Sequence, residues 1–371
     1  MKNYYYLCNV NLKLDMMTND TTLHPFDGRG NAAATKERAS NFELLRIICM
    51  LFIVLGHVII AHQDVGEVEY VTSHFVRSFS IVAVNVFVLI SGFWGIKFKT
   101  ERLVKLCSQT WFYSVVSLAI VVLVGFYSIN IKKDFLAFLP IFSREYWFIT
   151  AYFALYCIAP FINHAIENVD KFVYRKGLLV GFLLFYVWPT FCFLFNANQL
   201  VMDAGYGIVN FVYLYLLGRY IRYHYNDTRS SRYYMFVYLG SCALLFIFQY
   251  VLSRVLGFEF SSWLSYNTVF VLIAAVALFM FFKGVKLHSR IINIIAAPCL
   301  AVYLVHMSPY TWRHIVAFLN IEEARGGIYV LMLAGYPFLI YLAGFCVEKI
   351  RLLLFGKLEN ALCKWIKKRD E

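Results

Sequence analysis

The sequence predicts an all-α polytopic integral membrane protein with about ten transmembrane helices and both termini in the cytoplasm. Three observations predict this fold. Of the 371 residues, 61% are hydrophobic and only 15% are charged, whereas soluble domains carry roughly 25% charged residues. Apolar runs of span length recur along the chain. Lys and Arg concentrate in every second connecting loop, which is the positive-inside pattern.

The chain divides into three predicted parts. Residues 1–41 are polar and lack the apolar core of a signal peptide, so we expect a flexible cytosolic arm. Residues 42–348 form the transmembrane domain, and residues 349–371 form a basic amphipathic tail that we expect on the inner membrane surface. The apolar runs predict spans at 42–62, 75–95, 106–128, 146–163, 177–195, 202–218, 233–253, 264–282, 291–310 and 328–348.

The distribution of Lys and Arg sets the predicted orientation. With the N-terminus inside, the four inner loops contain 14 Lys and Arg residues and the five outer loops contain 6. An even number of spans also places the basic tail on the side of the N-terminus. We therefore expect cytoplasmic termini and a multi-pass protein of the cytoplasmic membrane.

Composition also argues against several classes of function. The formal net charge is +12, but the basic residues lie beside apolar runs, so we expect contact with the lipid bilayer and no nucleic-acid partner. The nine Cys are scattered singly without a C-x-x-C pair, and we therefore expect no disulfide framework and no metal site. The sequence has no glycine-rich nucleotide-binding motif.

Ionisable residues in the first predicted span are candidates for chemistry, because charge inside a membrane is costly unless it is paired or lines a cavity. Arg46 and His57 are 11 residues apart, so they share one helix face and lie roughly 16 Å apart along the axis. Glu43 has the i,i+3 spacing from Arg46 that suits an ion pair. Alternatively, Glu43 and Arg46 snorkel to the inner interface and His57 is a hydrogen-bonded core residue.

A second histidine is predicted to lie at the depth of His57. His306, in the ninth span, is 16 residues from Arg290 at the inner side, and His57 is 15 residues from Phe42. Both spans run outward, so the two histidines should lie in the outer half of the membrane. A structural role for His306, through a bond to a neighbouring carbonyl, is the alternative.

Other polar and aromatic residues lie near the ends of spans. Arg102 and Lys105 are one turn apart at the inner interface, where they suit the phosphates of a cytosolic ligand or a solvated basic face. Trp147 fits an interfacial aromatic belt. Ser91 and Gly92 are small residues of the kind that permits close helix approach.

Five segments, in order, resemble the acyltransferase 3 family of polytopic membrane O-acyltransferases. Arg46 and His57 are similar to its Arg-x10-His signature, and FVLISGF follows on the second span. The segments TERLVKL, YWFITAYFALYCIAPFIN and AVYLVH resemble its later motifs. Together they extend over about residues 40–345, nearly the whole membrane portion.

Two positions depart from the family pattern. Glu43 stands where the family usually has Asp, which keeps the charge. Lys105 stands in place of the second Arg of an R-x-x-R element, which removes the bidentate fork that suits phosphate.

The resemblance implies transfer of an acyl group, usually acetyl, from cytosolic acyl-CoA (acetyl-CoA) to a hydroxyl. The acceptor would be a polysaccharide of the bacterial cell envelope or its lipid-linked sugar precursor, and no metal would take part. Buried Arg46 suits stabilisation of the thioester oxyanion. His57 suits the role of a general base that removes the hydroxyl proton, or that of a nucleophile that carries the acyl group transiently. The sequence leaves both roles open.

The resemblance also suggests which residues form the site. The expected catalytic residues are His57, Arg46 and Glu43, and Arg102 and Lys105 are expected to bind acyl-CoA. The expected substrate-side residues are His306, Tyr303, Trp147 and Ser91.

A transporter or glycan exporter is the alternative function, with Arg46, His57 and His306 lining a pathway. The acceptor, the acyl chain and the oligomeric state stay open.

Overall fold

The computed structural model describes residues 39–62, 66–143, 145–195, 197, 199–201, 203–251, 254 and 264–370. These residues form helices joined by turns, and none of them belongs to a β-strand. The predicted all-α class is therefore confirmed. The predicted cytosolic arm, 1–41, lies almost wholly outside the described residues.

The described helices follow the predicted spans in order. They are α1 (Ser40–Ala61), α2 (Glu67–Ser80), α3 (Ala83–Trp94), α4 (Thr100–Leu123), α5 (Trp147–Glu167), α6 (Lys171–Phe182), α7 (Trp188–Phe195), α8 (Ile208–His224), α9 (Ser231–Phe246), α10 (Val269–Lys283), α11 (Arg290–Ala296), α12 (Cys299–His306), α13 (Trp312–Phe318) and α14 (Gly326–Asp370). Further short elements are a turn of α-helix at Ile131–Asp134, π-helical stretches at Leu183–Val187 and Ile247–Val251, and 3-10 turns at Phe135–Phe138 and Ile321–Glu323.

Seven described helices are long and apolar enough to cross a membrane. They are Ser40–Ala61, Glu67–Trp94, Thr100–Leu123, Trp147–Glu167, Lys171–Phe193, Ser231–Tyr250 and Gly326–Lys368. Two shorter apolar helices, Val269–Lys283 and Arg290–His306, and helix α8 occupy the other three predicted spans. The polytopic fold is confirmed, while ten crossings and cytoplasmic termini stay predictions.

The predicted bounds of the sixth span are wrong. The prediction was a span at 202–218 followed by an inner loop, but the helix extends over Ile208–His224. It therefore includes Arg219 and Arg222, which hydropathy assigns to the loop because charged residues end an apolar run. Arg219 is nevertheless buried, with its guanidinium against Gly95 in the loop after α3, so its charge does not mark the end of the helix.

Two predicted spans are interrupted helices. The second is divided between α2 and α3 at Ile81 and Val82, and the ninth is divided between α11 and α12 at Ala297 and Pro298. Proline has no N–H to donate to the preceding turn, which favours a break at this point. The break in the ninth span places irregular backbone inside the bundle, where such backbone must line a cavity or be covered by protein.

Helices α3 and α8 pack with their backbones in close approach. A Cβ added at Gly92 would meet the Tyr215 carbonyl, and one added at Gly218 would lie 2.6 Å from the Leu89 carbonyl oxygen. Helices in a membrane associate through such contacts because lipid supplies little hydrophobic driving force between them. The packing role expected for the small residues of the second span is therefore confirmed at Gly92.

The last helix continues without a break from Gly326 to Asp370. The predicted tail, 349–371, is thus an extension of the tenth span up to residue 370, and its position on the inner membrane surface stays a prediction. Within this helix Arg351 pairs with Glu348 at 2.8 Å and with Glu359 at 3.0 Å, and Lys105 of α4 lies 3.7 Å from Glu359. Pairing allows Glu348, Arg351 and Glu359 to stay buried on a helix whose other tail residues are mostly exposed.

Candidate active site

A cavity runs along α1 inside the bundle. It contains about 890 Å³ of space, its open mouth included, and residues from Glu43 to His57 form one wall. These two residues lie about 21 Å apart along the helix. The other walls come from α3, α4, α5, the loop before α10 and the broken ninth span. Five of the nine residues predicted for the site line this cavity: Glu43, Arg46, His57, Trp147 and Tyr303.

An ion pair forms the charged end of the cavity. Arg46 Nη1 donates to Glu43 Oε1 at 2.8 Å, and the two residues are 4% and 3% exposed. The predicted i,i+3 pair is confirmed, and its burial among protein atoms is inconsistent with snorkelling to the interface. Ala297 and Cys299, at the break in the ninth span, line the same end. A charged group and irregular backbone therefore face one space.

Two histidines meet at the opposite end of the α1 wall. His57 Nδ1 lies 3.1 Å from His306 Nε2, so the equal depth predicted from the sequence is confirmed. His306 Nδ1 lies 2.6 Å from the carbonyl oxygen of Val302. A structural role for His306 predicted a bond to a neighbouring carbonyl. That bond is present, and His306 contacts His57 as well.

These contacts fix the tautomers of the neutral histidine pair. A carbonyl oxygen only accepts, so His306 Nδ1 carries a proton and donates it to Val302. His306 Nε2 is then an acceptor, and His57 Nδ1 must donate to it. His57 Nε2 is left with a free lone pair on a ring that lines the cavity. The arrangement can therefore accept a proton at a defined atom.

Aromatic rings form the wall between the two ends. The Trp147 ring lies 4.5 Å from Tyr206 and 5.8 Å from Tyr266, centroid to centroid, and it is stacked on Tyr266. Asn85 Nδ2 donates to the Tyr266 carbonyl at 2.8 Å, which holds this loop against α3. Trp147, expected in an interfacial belt, thus belongs to an internal cluster, and the Tyr303 ring extends it toward His306 at 6.0 Å.

A family model described as an acyltransferase domain matches residues 40–347. The chain belongs to the acyltransferase 3 family. It is therefore a membrane acyltransferase, and all of the cavity described above lies within the matched region. The comparisons with curated proteins and with solved structures give no match.

Ser91 of this acyltransferase supports the cavity wall without lining it. Its Oγ donates to the Phe87 carbonyl at 3.0 Å and lies in hydrogen-bonding contact with the Tyr152 hydroxyl. Phe87 and Tyr152 both line the cavity. Ser91 is therefore placed to orient the wall, and its expected contact with substrate stays a prediction.

Arg102 and Lys105 lie outside the cavity, near its charged end. Both are on the first turns of α4, and their neighbour Leu106 lines the cavity. Lys105 Nζ lies 3.7 Å from Glu359 Oε1 on the last helix. Arg102 is half-buried and in electrostatic contact with Tyr156. Lys105 is thus committed at least partly to an ion pair, and acyl-CoA binding by either residue stays a prediction.

The acyltransferase cavity also involves residues that the sequence analysis missed. Tyr152 and Tyr266 line it, and tyrosines of this kind give no signal in a chain so rich in them. Arg77, on α2, is in electrostatic contact with Tyr206 and Tyr266. It lies within the predicted span 75–95. An ionisable residue inside a span is a site candidate, as Arg46 was, so the sequence could have indicated Arg77 as well.

The described residues contain no group of three or more His, Cys, Asp or Glu that could hold a metal ion. The cysteines in this part of the chain form no disulfide with one another.

Proposed function

We propose that this acyltransferase moves an acyl group, acetyl in the simplest case, from cytosolic acyl-CoA to a hydroxyl of a cell-surface polysaccharide or its lipid-linked precursor. The observation that carries the proposal is the single cavity that joins the buried Glu43–Arg46 pair to His57. A cavity of this form suits two substrates that arrive from opposite sides of a membrane and react inside it.

Transfer requires one proton to leave the acceptor. His57 Nε2 takes the proton of the acceptor hydroxyl as the oxygen attacks the thioester carbonyl. The carbon–sulfur bond then breaks, the ester carbon–oxygen bond remains, and the proton passes to the CoA sulfur. The hydrogen bond from His57 Nδ1 to His306 Nε2 keeps the lone pair on the correct nitrogen.

We propose a role for Arg46 that differs from the oxyanion stabilisation expected from the sequence. About 16 Å of helix separates it from His57, so one thioester carbonyl does not contact both side chains in a single step. We therefore assign Arg46, held by Glu43 at 2.8 Å, to the donor end of the cavity, where it attracts the polar part of acyl-CoA. The oxyanion role predicted for Arg46 would require the reacting carbonyl to lie at that end.

The acceptor fits the aromatic wall. Trp147 and Tyr266 line the cavity with stacked rings, and flat apolar faces beside a few polar groups are typical of small-molecule sites. Sugar rings bind such faces through their C–H bonds. This supports a glycan or lipid-linked sugar as the acceptor.

The test is transfer of labelled acetyl from acetyl-CoA to the host's own glycan in membranes that contain the protein. We expect His57→Ala to lower this transfer by roughly 10²- to 10⁴-fold, because it removes the base. The matched control is His288→Ala, a histidine on an exposed loop, which should transfer at the parent rate. Full transfer by His57→Ala would contradict the proposal. A transporter would instead change export of the glycan while leaving its acetyl content unaltered.

A further inference from the structure

We propose that Arg219 and Arg222 on α8 bind a phosphate group, at the end of the bundle that the sequence predicts to face the cytosol. The inference rests on the proposed function in one respect, since acyl-CoA is the phosphate ester that this function supplies. The phosphate of a membrane lipid offers the same chemistry from a second source.

Arg219 is a buried cation whose counter-ion is missing from the described part of the chain. It is 7% exposed, its Nη2 donates to the Tyr223 hydroxyl at 2.7 Å, and its guanidinium lies 4.6 Å from the centre of that ring. Its Nε is buried without a hydrogen-bond partner, and none of the described carboxylates pairs with it. A buried charge is costly unless an anion compensates it, so the site is completed by an anionic ligand.

The backbone beside Arg219 is shaped to admit this guanidinium. Gly95 has a φ of +81°, and a Cβ at that position would collide with Arg219 Nη1. The following loop is held in place because Ile96 N donates to the Tyr215 hydroxyl at 2.9 Å and Lys99 N donates to the Tyr156 hydroxyl at 3.0 Å. The arginine therefore lies against a fixed loop.

The same loop adds positive charge. Lys97 and Lys99 are both exposed on it, and Tyr156, which fixes the loop, is in electrostatic contact with Arg102. Phosphate binding sites typically combine several such donors, with arginine contributing a planar fork.

Arg222 lies one turn along the same face of α8 and is also held by its neighbours. Its guanidinium is 5.1 Å from the Phe93 ring centre and 5.3 Å from the Trp94 ring centre, distances that suit cation–π attraction. Its side chain is exposed, so it can contact a ligand. Arg219 and Arg222 thus present a buried and an exposed guanidinium at i,i+3 spacing.

The proposed phosphate site is next to the charged end of the cavity. The Phe93 ring packs on Phe42 at 5.5 Å, and the next residue along the chain, Glu43, lines the cavity. Tyr152, which lines the cavity, is in electrostatic contact with both Arg46 and Tyr215. A donor whose phosphates bind here would extend its uncharged pantetheine arm past Arg46 toward His57.

Orientation in the membrane does not explain Arg219. Exposed residues such as Arg229 and Arg232, in and just after the following loop, are sufficient for a positive-inside signal. Burial of Arg219 adds nothing to that signal and carries a desolvation cost. A ligand accounts for both the burial and the missing counter-ion.

The experiment compares purified parent protein with Arg219→Gln, Arg222→Gln and the control Arg232→Gln, which loses the same charge at an exposed position. Two donors are used: acetyl-CoA, and S-acetylpantetheine, which has the same thioester but no phosphate. We expect Arg219→Gln to raise the KM for acetyl-CoA roughly ten- to hundredfold, since a hydrogen bond to a charged group is lost. Its KM for S-acetylpantetheine should equal that of the parent.

A lipid source of the phosphate is distinguished by a second readout, the heat stabilisation given by micelles that contain phosphatidylglycerol. If Arg219→Gln abolishes this stabilisation and leaves both KM values unchanged, the site binds lipid phosphate. If both arginine variants behave as Arg232→Gln does in both assays, the proposal is overturned. If Arg219→Gln fails to fold, the variant Arg222→Gln, at an exposed position, tests the phosphate site in the same assays.

Failure of this inference is separable from failure of the proposed function. Equilibrium dialysis with radiolabelled CoA measures binding without turnover. If the parent binds CoA and Arg219→Gln does not, while no acyl transfer occurs, the phosphate site stands and the proposed function fails. If transfer occurs, CoA binds equally to parent and variants, and phosphatidylglycerol micelles stabilise them equally, the proposed function stands and this inference fails.

Discussion

His306 is the residue whose contacts say most about how the chemistry is positioned. It is fully buried and does not line the cavity, yet its two ring nitrogens contact Val302 O at 2.6 Å and His57 Nδ1 at 3.1 Å. In the proposed mechanism it is therefore a positioning residue that sets the tautomer of His57. A leucine there removes the acceptor for His57 Nδ1–H, and the proton then occupies either nitrogen.

We accordingly expect His306→Leu to lower kcat by roughly ten- to a hundredfold, which corresponds to about 1.4–2.8 kcal/mol of barrier. The KM for acyl-CoA should change little. His306→Gln, whose amide oxygen can accept from His57, should retain more activity than His306→Leu. Steady-state kinetics on purified protein measures this. Equal losses in both variants, accompanied by a fall in heat stability, would show a role in packing alone.

Residue spacing predicted the ion pair within α1 and the equal depth of the two histidines, because both depend only on helix geometry. The Glu43–Arg46 pair follows from an i,i+3 spacing, and the equal depth of His57 and His306 follows from equal rise along two spans. Their contact also requires the two helices to be neighbours, which spacing does not predict. Arg219 was out of reach, since its importance depends on burial beside the loop after α3 and on the absence of an ion pair to it among the described residues. Neither property is visible in the residues that flank it.

At the scale of elements, the last helix shows how charged residues at and beyond the predicted end of a span can be buried in the bundle. Glu348 accepts from Tyr113 at 2.6 Å and from Arg351 at 2.8 Å, and Arg351 also reaches Glu359 at 3.0 Å. Lys105 of α4 extends the network. A hydropathy pattern ends the span at 348 because it counts these charges singly, whereas the fold pairs them within the last helix and, through Lys105, with α4.

This network predicts a large effect on stability from one substitution. Arg351→Gln leaves the buried carboxylates of Glu348 and Glu359 without their shared cation, and we expect the free energy of unfolding to fall by about 3–5 kcal/mol. Unfolding in mixed micelles with increasing dodecyl sulfate measures the change. Lys357→Gln, an exposed position on the same helix, is the control and should stay within roughly 0.5 kcal/mol of the parent. Equal stability of the two variants would show that the network contributes nothing.

On the scale of the whole molecule, the cavity gives the predicted orientation a chemical meaning. Its charged end lies near the basic loop 95–99 and the start of α4. The opposite end of its α1 wall is formed by His57, which contacts His306. A cytosolic donor and an external acceptor can meet at His57 only if loop 95–99 faces the cytosol. The reverse orientation would place the donor site outside the cell, where acyl-CoA is absent.

The sidedness of the bundle is therefore the prediction on which the mechanism depends. Single cysteines are introduced at Phe98, between α3 and α4, and at Ile129, between α4 and α5; both side chains are exposed. With a membrane-impermeant maleimide on intact cells, we expect labelling of Ile129→Cys, and labelling of Phe98→Cys only after the cells are opened. The parent chain measures the background from its native cysteines, including the exposed Cys346. Labelling of Phe98→Cys in intact cells would reverse the orientation, and a phosphate site beside Arg219 would then face away from the only compartment that supplies acyl-CoA.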